Sequence, residues 1–241
     1  MAATAQGSRL TAQQRQLQLA LRALTVRDVI AVWRLLDPTA LGSTWPGVET
    51  ALARIVSARR TQSALLAARY ISAFRAAELG GGTAPVVPES PVDSAALRTS
   101  LAVTGPATIE RLARTQTPAV AGRTAMTRVV GAVTRHVLDG GRAMLTDTIR
   151  ADRQALGWAR SASGSACAFC AMLAGRGPVY RSERTSQFRS HDNCGCGIEP
   201  VYSRDAAWPA GSERHREQWD AATSGLSGAK ALNAYRASLP G

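Results

Sequence analysis

Four cysteines and one histidine lie close together in the last third of the chain, in a spacing that could bind a metal ion. Cys167 and Cys170 form a CxxC pair, and His191, Cys194 and Cys196 follow after a gap of 20 residues. Zn²⁺ binds four nitrogen or sulfur ligands in a tetrahedron, so five candidates compete for four positions. We expect Cys167, Cys170 and Cys196 to bind first, with His191 and Cys194 competing for the fourth position. The pattern predicts one structural zinc ion.

Three other uses of these cysteines stay open. The thiols could remain reduced without a metal, form two disulfides, or act as a redox-active CxxC pair. The first residues contain no basic stretch followed by an apolar one, so we expect no secretory signal and a reducing compartment, which disfavours disulfides. A redox CxxC normally belongs to a βαβ pattern, and none surrounds Cys167. Because so small a region buries little core, a bound metal would directly stabilise its fold.

No set of catalytic residues is evident in the sequence. It contains no HExxH, no GxSxG and no glycine-rich loop that would cradle a phosphate. His136 falls within a helical pattern, so we expect it to pack or to lie on the surface, and we expect His215, in a charged stretch, to be solvated. A nucleophilic cysteine beside His191 would require proximity in three dimensions. The sequence therefore favours a protein without enzymatic activity.

The segments that must position the cysteine cluster are mainly helical. Helical spacing of apolar residues predicts helices over residues 17–24, 29–36, 48–79, 94–116 and 120–159, of which the second follows a capping-box pattern at Thr25 and the fourth is interrupted at Gly105. Glycines and prolines predict a linker near residues 80–93. We expect no membrane-spanning helix, since no apolar run approaches the roughly 18 residues that a span requires.

These patterns predict a mainly α fold with three regions. Residues 1–160 form an arginine-rich region of long amphipathic helices, and residues 161–203 form a small α+β Cys/His module with β-like pieces at 178–180 and 198–202. Residues 204–241 form a tail with a short helix at 212–222 and a polar end. The regions also differ in charge. The chain carries +12, of which +10 belongs to residues 1–160 and +2 to the rest.

Three arginines suggest where the helical region could contact a partner. Arg128, Arg135 and Arg142 are spaced by seven residues, which places them on one face of the predicted helix 120–159. A solvated face of a bundle helix explains this spacing, and so does a ridge that contacts phosphate or a partner protein. Aromatic residues, which stack on bases in many nucleic-acid-binding proteins, make up only 5% of the chain.

The cysteine region and parts of the helices resemble the MuF-like head morphogenesis proteins of tailed bacteriophages. The resemblance rests on CAFCAMLAGRGPVY at residues 167–180, HDNCGC at 191–196 and PVY at 200–202. DRQALGWAR at 152–160 and ARRTQS at 58–63 also resemble the branch found in phages of actinobacteria. The sequence departs from the Mu-type pattern at Gly195, where a basic residue is common.

The resemblance implies a minor structural head protein that acts in capsid assembly. Such a protein would contact the phage portal and major capsid proteins, and its basic helices would contact packaged DNA without sequence readout. It would reside in the capsid interior of the virion and, during assembly, in the host cytoplasm. Some members of this branch are labelled capsid maturation proteases, which gives one alternative. A zinc-dependent DNA-binding protein is a second alternative, although residues 161–241 carry only +2.

Overall fold

The computed structural model describes residues 2–89, 91–162, 166–178, 188, 190–206, 208–209 and 211–239. Within these residues, eight helices and two strands follow one another along the chain. They are α1 (Ala5–Trp33), α2 (Leu41–Leu79), α3 (Ser94–Thr104), α4 (Pro106–Leu112), α5 (Pro118–Ala151), β1 (Gly157–Ser161), α6 (Ala168–Ala174), β2 (Gly197–Val201), α7 (Ser212–Thr223) and α8 (Gly228–Ser238). This confirms the predicted mainly α fold with a small Cys/His region towards its C-terminal end.

Local sequence signals set several of the helix ends. The Thr4 side chain accepts a hydrogen bond from the backbone N–H of Gly7 and caps α1, and Asp93 caps α3 in the same way. Gly80 ends α2 with a left-handed backbone, φ 74°, which glycine adopts without steric cost. Pro106 and Pro118 occupy the first positions of α4 and α5, where the absent N–H has no helical partner to lose.

The capping box at Thr25 does not divide the first helix as predicted. Helix α1 runs unbroken through this position, and the Thr25 hydroxyl, fully buried, donates to the carbonyl of Leu21. A threonine that satisfies its hydroxyl within the preceding turn can remain inside a helix. Asp28, the other end of the pattern, instead accepts hydrogen bonds from Arg59 of α2.

Two apolar clusters hold the long helices together. The first joins α1, α2, α3, α4 and α5 around Val29, Leu52, Leu101 and Val133. The second joins α2 and α5 to the two strands. None of the helices in the described residues has the length and hydropathy that would let it cross a membrane.

The end of the predicted helix 120–159 differs from expectation. Helix α5 stops at Ala151, and residues 157–161 form β1, which pairs antiparallel with β2 so that Trp158 lies opposite Pro200. Asp152 has an extended backbone and accepts hydrogen bonds from Arg75 and Tyr202, and these contacts fix where the helix ends. Strand β1 spans the predicted boundary at residue 160, and the three-region division stays a prediction.

The C-terminal tail is more ordered than its polar sequence suggested. The predicted helix 212–222 corresponds to α7, and α8 follows where a polar end was expected. Tyr235 of α8 is fully buried against Ala168 and Ala171 of α6, and its ring lies 5.2 Å from that of Trp219. His215 is buried as well, with 5% of its surface exposed, so its predicted solvation is wrong. Both tail helices therefore cover α6.

Candidate metal centre

Two segments distant in sequence bring the five predicted ligands together. Cys167 directly precedes α6 and Cys170 lies in that helix, whereas the other three occupy the segment that leads into β2. The Sγ atoms of Cys167 and Cys170 each lie 3.1 Å from Nε2 of His191. The Sγ atom of Cys170 also lies 3.6 Å from that of Cys194. The spacing in sequence therefore corresponds to a cluster in space.

The side chains form two overlapping groups that could hold a metal ion. Cys167, Cys170 and His191 form one group, and Cys170, Cys194 and Cys196 form the other; within each group all ligand atoms lie within 4.8 Å of one another. Two thiolates bound to one tetrahedral zinc ion lie about 3.8 Å apart, given Zn–S bonds of about 2.3 Å. The Cys170–Cys194 separation agrees with that value. Cys170 belongs to both groups, which makes it the central candidate ligand.

Burial orders these ligands differently from the sequence prediction. Cys170, Cys194 and Cys196 are buried, with 3%, 2% and 5% of their surfaces exposed, whereas Cys167 is exposed. The sequence had favoured Cys167 and left Cys194 competing for the last position. The structure places Cys194 inside the buried trio and Cys167 at the solvent side. Which four of the five bind stays a prediction.

The histidine is oriented for ligation through Nε2. Its Nδ1 atom lies 2.7 Å from the backbone carbonyl oxygen of Asp192. In the neutral ring, an N–H at Nδ1 that donates to this carbonyl leaves Nε2 with a free lone pair. Metal-binding histidines commonly fix their tautomer through such a contact on the far nitrogen. The lone pair at Nε2 then faces the Cys167 and Cys170 thiols.

The thiols of the cluster interact strongly with one another. Hydrogen bonds from Cys170 and Cys196 lower the pKa of Cys194, and the Arg142 guanidinium lowers it further. The reverse contacts with Cys194 and Cys196 raise the pKa of Cys170. Within the cluster, these contacts favour the thiolate form of Cys194 and the protonated form of Cys170. A divalent cation would replace those protons, because thiolates are the form that binds metal.

Helix α5 holds the second ligand segment through a row of contacts on one face. Arg135 Nε donates to Asp192 Oδ1 at 2.8 Å, and Asp139 accepts from the Ser190 hydroxyl at 2.8 and 3.0 Å. One turn further on, Arg142 donates to the carbonyls of Cys194 and Cys196. We call this row, Arg135, Asp139 and Arg142, the α5 polar ridge.

The polar ridge revises the interpretation of the three arginines spaced by seven. Arg128 is exposed, as expected for a solvated face or a contact surface. Arg135 and Arg142 instead point to the ligand segment, and Arg142 is buried, with 5% of its surface exposed. Helical spacing placed them on one face correctly but could not tell what covers that face, because the partner lies about fifty residues further along the chain.

Gly131 of α5 lies in close contact with the ligand segment, which the sequence did not predict. A Cβ atom at this residue would lie 2.7 Å from the Asn193 side-chain nitrogen, closer than real Cβ contacts allow. The Asn193 N–H, at 3.4 Å, points to the Gly131 carbonyl, and Asn193 adopts φ 64°. The signal was a glycine inside a long helix, which costs stability unless something must approach closely.

His136, next to Arg135, does not belong to the cluster. It is buried, with 8% of its surface exposed. Burial, and then the charge of Arg135, lower its pKa to about 4. Of the two placements predicted from the sequence, packing or surface, the structure shows packing, and the lowered pKa favours a neutral ring.

A cleft borders the open side of the cluster. Arg15, Leu19 and Arg22 of α1 line one wall, and Cys167, His191 and Gly195 line the other. The two arginines are seven residues apart and so share a face of α1. Positive charge on this wall balances the negative charge that three or four thiolates would bring to one zinc ion.

Val179 and Tyr180, part of the predicted β-like piece 178–180, lie outside the described residues.

Comparisons with known proteins place the chain in a family. No curated protein and no solved structure shows significant similarity to it. The family model described as VG15 protein matches residues 1–222, from the first helix to α7, and includes all five candidate ligands. Helix α8 lies beyond the matched residues. Because the match covers most of its length, the chain belongs to the VG15 protein family, which is a phage-associated family.

Proposed function

We propose that the chain is a minor structural head protein of a tailed bacteriophage, with a Cys/His centre that binds one structural zinc ion. The observation that carries the proposal is the convergence of all five candidate ligands in one cluster, in a member of a phage-associated family. The resemblance of the same residues to MuF-like proteins supports the role in head assembly. In this role the chain acts near the portal, contacts portal and major capsid proteins, and resides inside the capsid.

The location can be tested on the phage that encodes the chain. Purified heads should contain far fewer copies of the protein than of the major capsid protein, and a deletion mutant should assemble heads poorly or yield particles of reduced infectivity. Supplying the wild-type gene in trans is the control for the deletion. If the chain were absent from both immature and mature heads while the portal protein was detected, the proposed role would be wrong.

The basic helices add a proposed contact with packaged DNA. Arg128 is exposed, whereas Arg135 pairs with Asp192 and Arg142 pairs with Asp139 and is buried. We therefore expect retention on a DNA column to depend on Arg128 and the other exposed arginines, and to weaken steeply between about 50 and 200 mM salt. Arg128→Gln should reduce the slope of log affinity against log salt by about 1 if this residue contacts one phosphate.

A matched control tests whether that contact is local. Arg204 is exposed but lies outside the helical region, so Arg204→Gln should leave the salt slope unchanged. Equal slopes for both variants and the wild type would show that Arg128 contacts no phosphate. Retention that did not weaken with salt would contradict electrostatic binding as a whole.

A capsid maturation protease is a second candidate because Cys167 and His191 form a close pair. The Cys167 thiol is exposed and lies 3.1 Å from Nε2 of His191, within the reach of a nucleophile and its base. The same nitrogen lies equally close to Cys170, which favours a metal site. Co-expression with the major capsid protein separates the two: a defined cleavage lost in Cys167→Ser, with zinc still bound, would establish the protease.

A further inference from the structure

We propose that Arg142 is the positioning residue of the metal centre: its guanidinium holds the backbone of Cys194 and Cys196 so that both thiols face Cys170. The inference rests on the proposed metal site and adds a residue of α5 to it. It replaces both roles left open for Arg142, a solvated face and a surface ridge that contacts phosphate or a partner protein.

The contacts of Arg142 are unusually complete for one side chain. Nη2 donates to the carbonyl of Cys194 at 2.7 Å, and Nη2 and Nε donate to the carbonyl of Cys196 at 3.0 and 3.2 Å. The planar guanidinium presents its donors as a rigid fork, so it can hold two carbonyls at once in fixed directions. The backbone on both sides of Gly195 is therefore pinned to α5.

Other groups fix the guanidinium itself. Nη1 forms an ion pair with Asp139 Oδ1 at 2.8 Å, and the guanidinium carbon lies 4.8 Å from the centre of the Phe188 ring. Asp139 in turn accepts the Ser190 hydroxyl, next to His191. Asp139 thus holds the guanidinium from within α5, and Phe188 and Ser190, next to the ligands, add their contacts in the docked segment.

Because Arg142 is buried, its hydrogen bonds to the ligand segment matter for the stability of the fold. Arg142 has 5% of its surface exposed, and a buried cation is costly unless hydrogen bonds and an opposite charge satisfy it. The carbonyls of Cys194 and Cys196 supply three of those bonds. Detachment of the ligand segment would break these three hydrogen bonds and remove part of the cover over the guanidinium. Metal binding and the stability of α5 should therefore be linked.

The test measures metal affinity and coordination geometry in full-length Arg142→Lys and Arg142→Gln, with the exposed Arg128→Lys and Arg128→Gln as matched controls on the same helix. Zinc affinity is measured by competition with a chelator, and Co²⁺ absorption reports the ligand geometry. Loss of a group that orients metal ligands typically weakens binding by about 10–100-fold. We expect this loss and an altered Co²⁺ spectrum for Arg142→Lys, which keeps the charge but not the fork, and wild-type behaviour for both Arg128 variants.

Each outcome bears on the inference. Wild-type zinc affinity and an unchanged Co²⁺ spectrum in folded Arg142→Lys would overturn the positioning role and leave the metal site standing. A wild-type protein that bound neither Zn²⁺ nor Co²⁺ would overturn both the metal site and the role of Arg142. If Arg142→Gln failed to fold, Arg142→Lys with native circular dichroism would still decide, and Asp139→Asn, which removes the carboxylate that holds Nη1, should weaken binding in the same direction.

Discussion

Replacement of Cys170 by serine is expected to abolish zinc binding and to lower the thermal stability of the whole chain. Cys170 is buried and belongs to both candidate ligand groups, so its loss leaves neither group with three ligands. If zinc binds only the native state, it raises the free energy of unfolding by about 4 kcal/mol when its free concentration is about 1,000 times the dissociation constant. Elemental analysis should give about one zinc per wild-type chain and almost none in Cys170→Ser.

The matched control for this experiment is Cys167→Ser. Cys167 is exposed and belongs to one group only, so the buried trio and His191 still offer four ligands. We expect this variant to retain about one zinc at saturating concentration, with reduced affinity. Complete loss of zinc in Cys167→Ser would make Cys167 indispensable and leave His191 and Cys194 as the candidates for the one residue that does not bind. Wild-type protein with no zinc and four freely titratable thiols would contradict the metal centre itself.

The unfolding temperature shows whether the Cys/His region is packed onto the helical bundle or joined to it only by a linker. The ligand segment is bound to α5 through Arg135, Asp139 and Arg142, so removal of the metal should lower the unfolding temperature of the helical bundle. A module joined only by a linker would melt separately and leave the helical transition unchanged. Far-ultraviolet circular dichroism reports the bundle, since most helical residues belong to α1, α2 and α5.

The candidate site was predictable because its chemistry is local in sequence. The spacing of Cys167 and Cys170, and of His191, Cys194 and Cys196, specifies two tight ligand segments whatever the rest of the fold. The residues that orient those segments were not predictable, because Gly131 and Arg142 act on residues 52 to 62 positions away. Periodicity identifies the face of a helix, but a face that receives a polar segment has the same pattern as a solvated one.

The fold shows the same division between local and distant causes. The helices around Val29, Leu52 and Val133 were predictable, since each buries an apolar stripe of its own. Strand β1 was not, because GWARS alternates weakly and becomes a strand only through pairing with β2. Helix α8 has mostly small and polar residues, and its buried positions are Ala231 and Tyr235. One alanine and one tyrosine form too short a stripe to predict a helix from the sequence.

Gly141→Ala is expected to destabilise the chain even though alanine is the better helix former. A Cβ atom at Gly141 would lie 2.7 Å from Ser63 Oγ and 2.9 Å from the Ser63 carbonyl oxygen. Ser63 donates to Gln18 and accepts from the Gly141 N–H, so one methyl group would disturb the junction of α1, α2 and α5. Overpacking of this kind costs about 1–3 kcal/mol, which exceeds the gain of about 1 kcal/mol in helix propensity.

Gly47→Ala is the matched control, because the same substitution in open space should have the opposite sign. Gly47 is exposed within α2, and nothing lies within 4 Å of its added Cβ atom. We expect this variant to gain about 0.5–1 kcal/mol from helix propensity alone. Urea unfolding measures both changes, with m-values that should stay constant. If Gly141→Ala proved as stable as Gly47→Ala, the close approach of α2 and α5 at Ser63 would be contradicted, and with it the frame on which Arg142 holds the ligand segment.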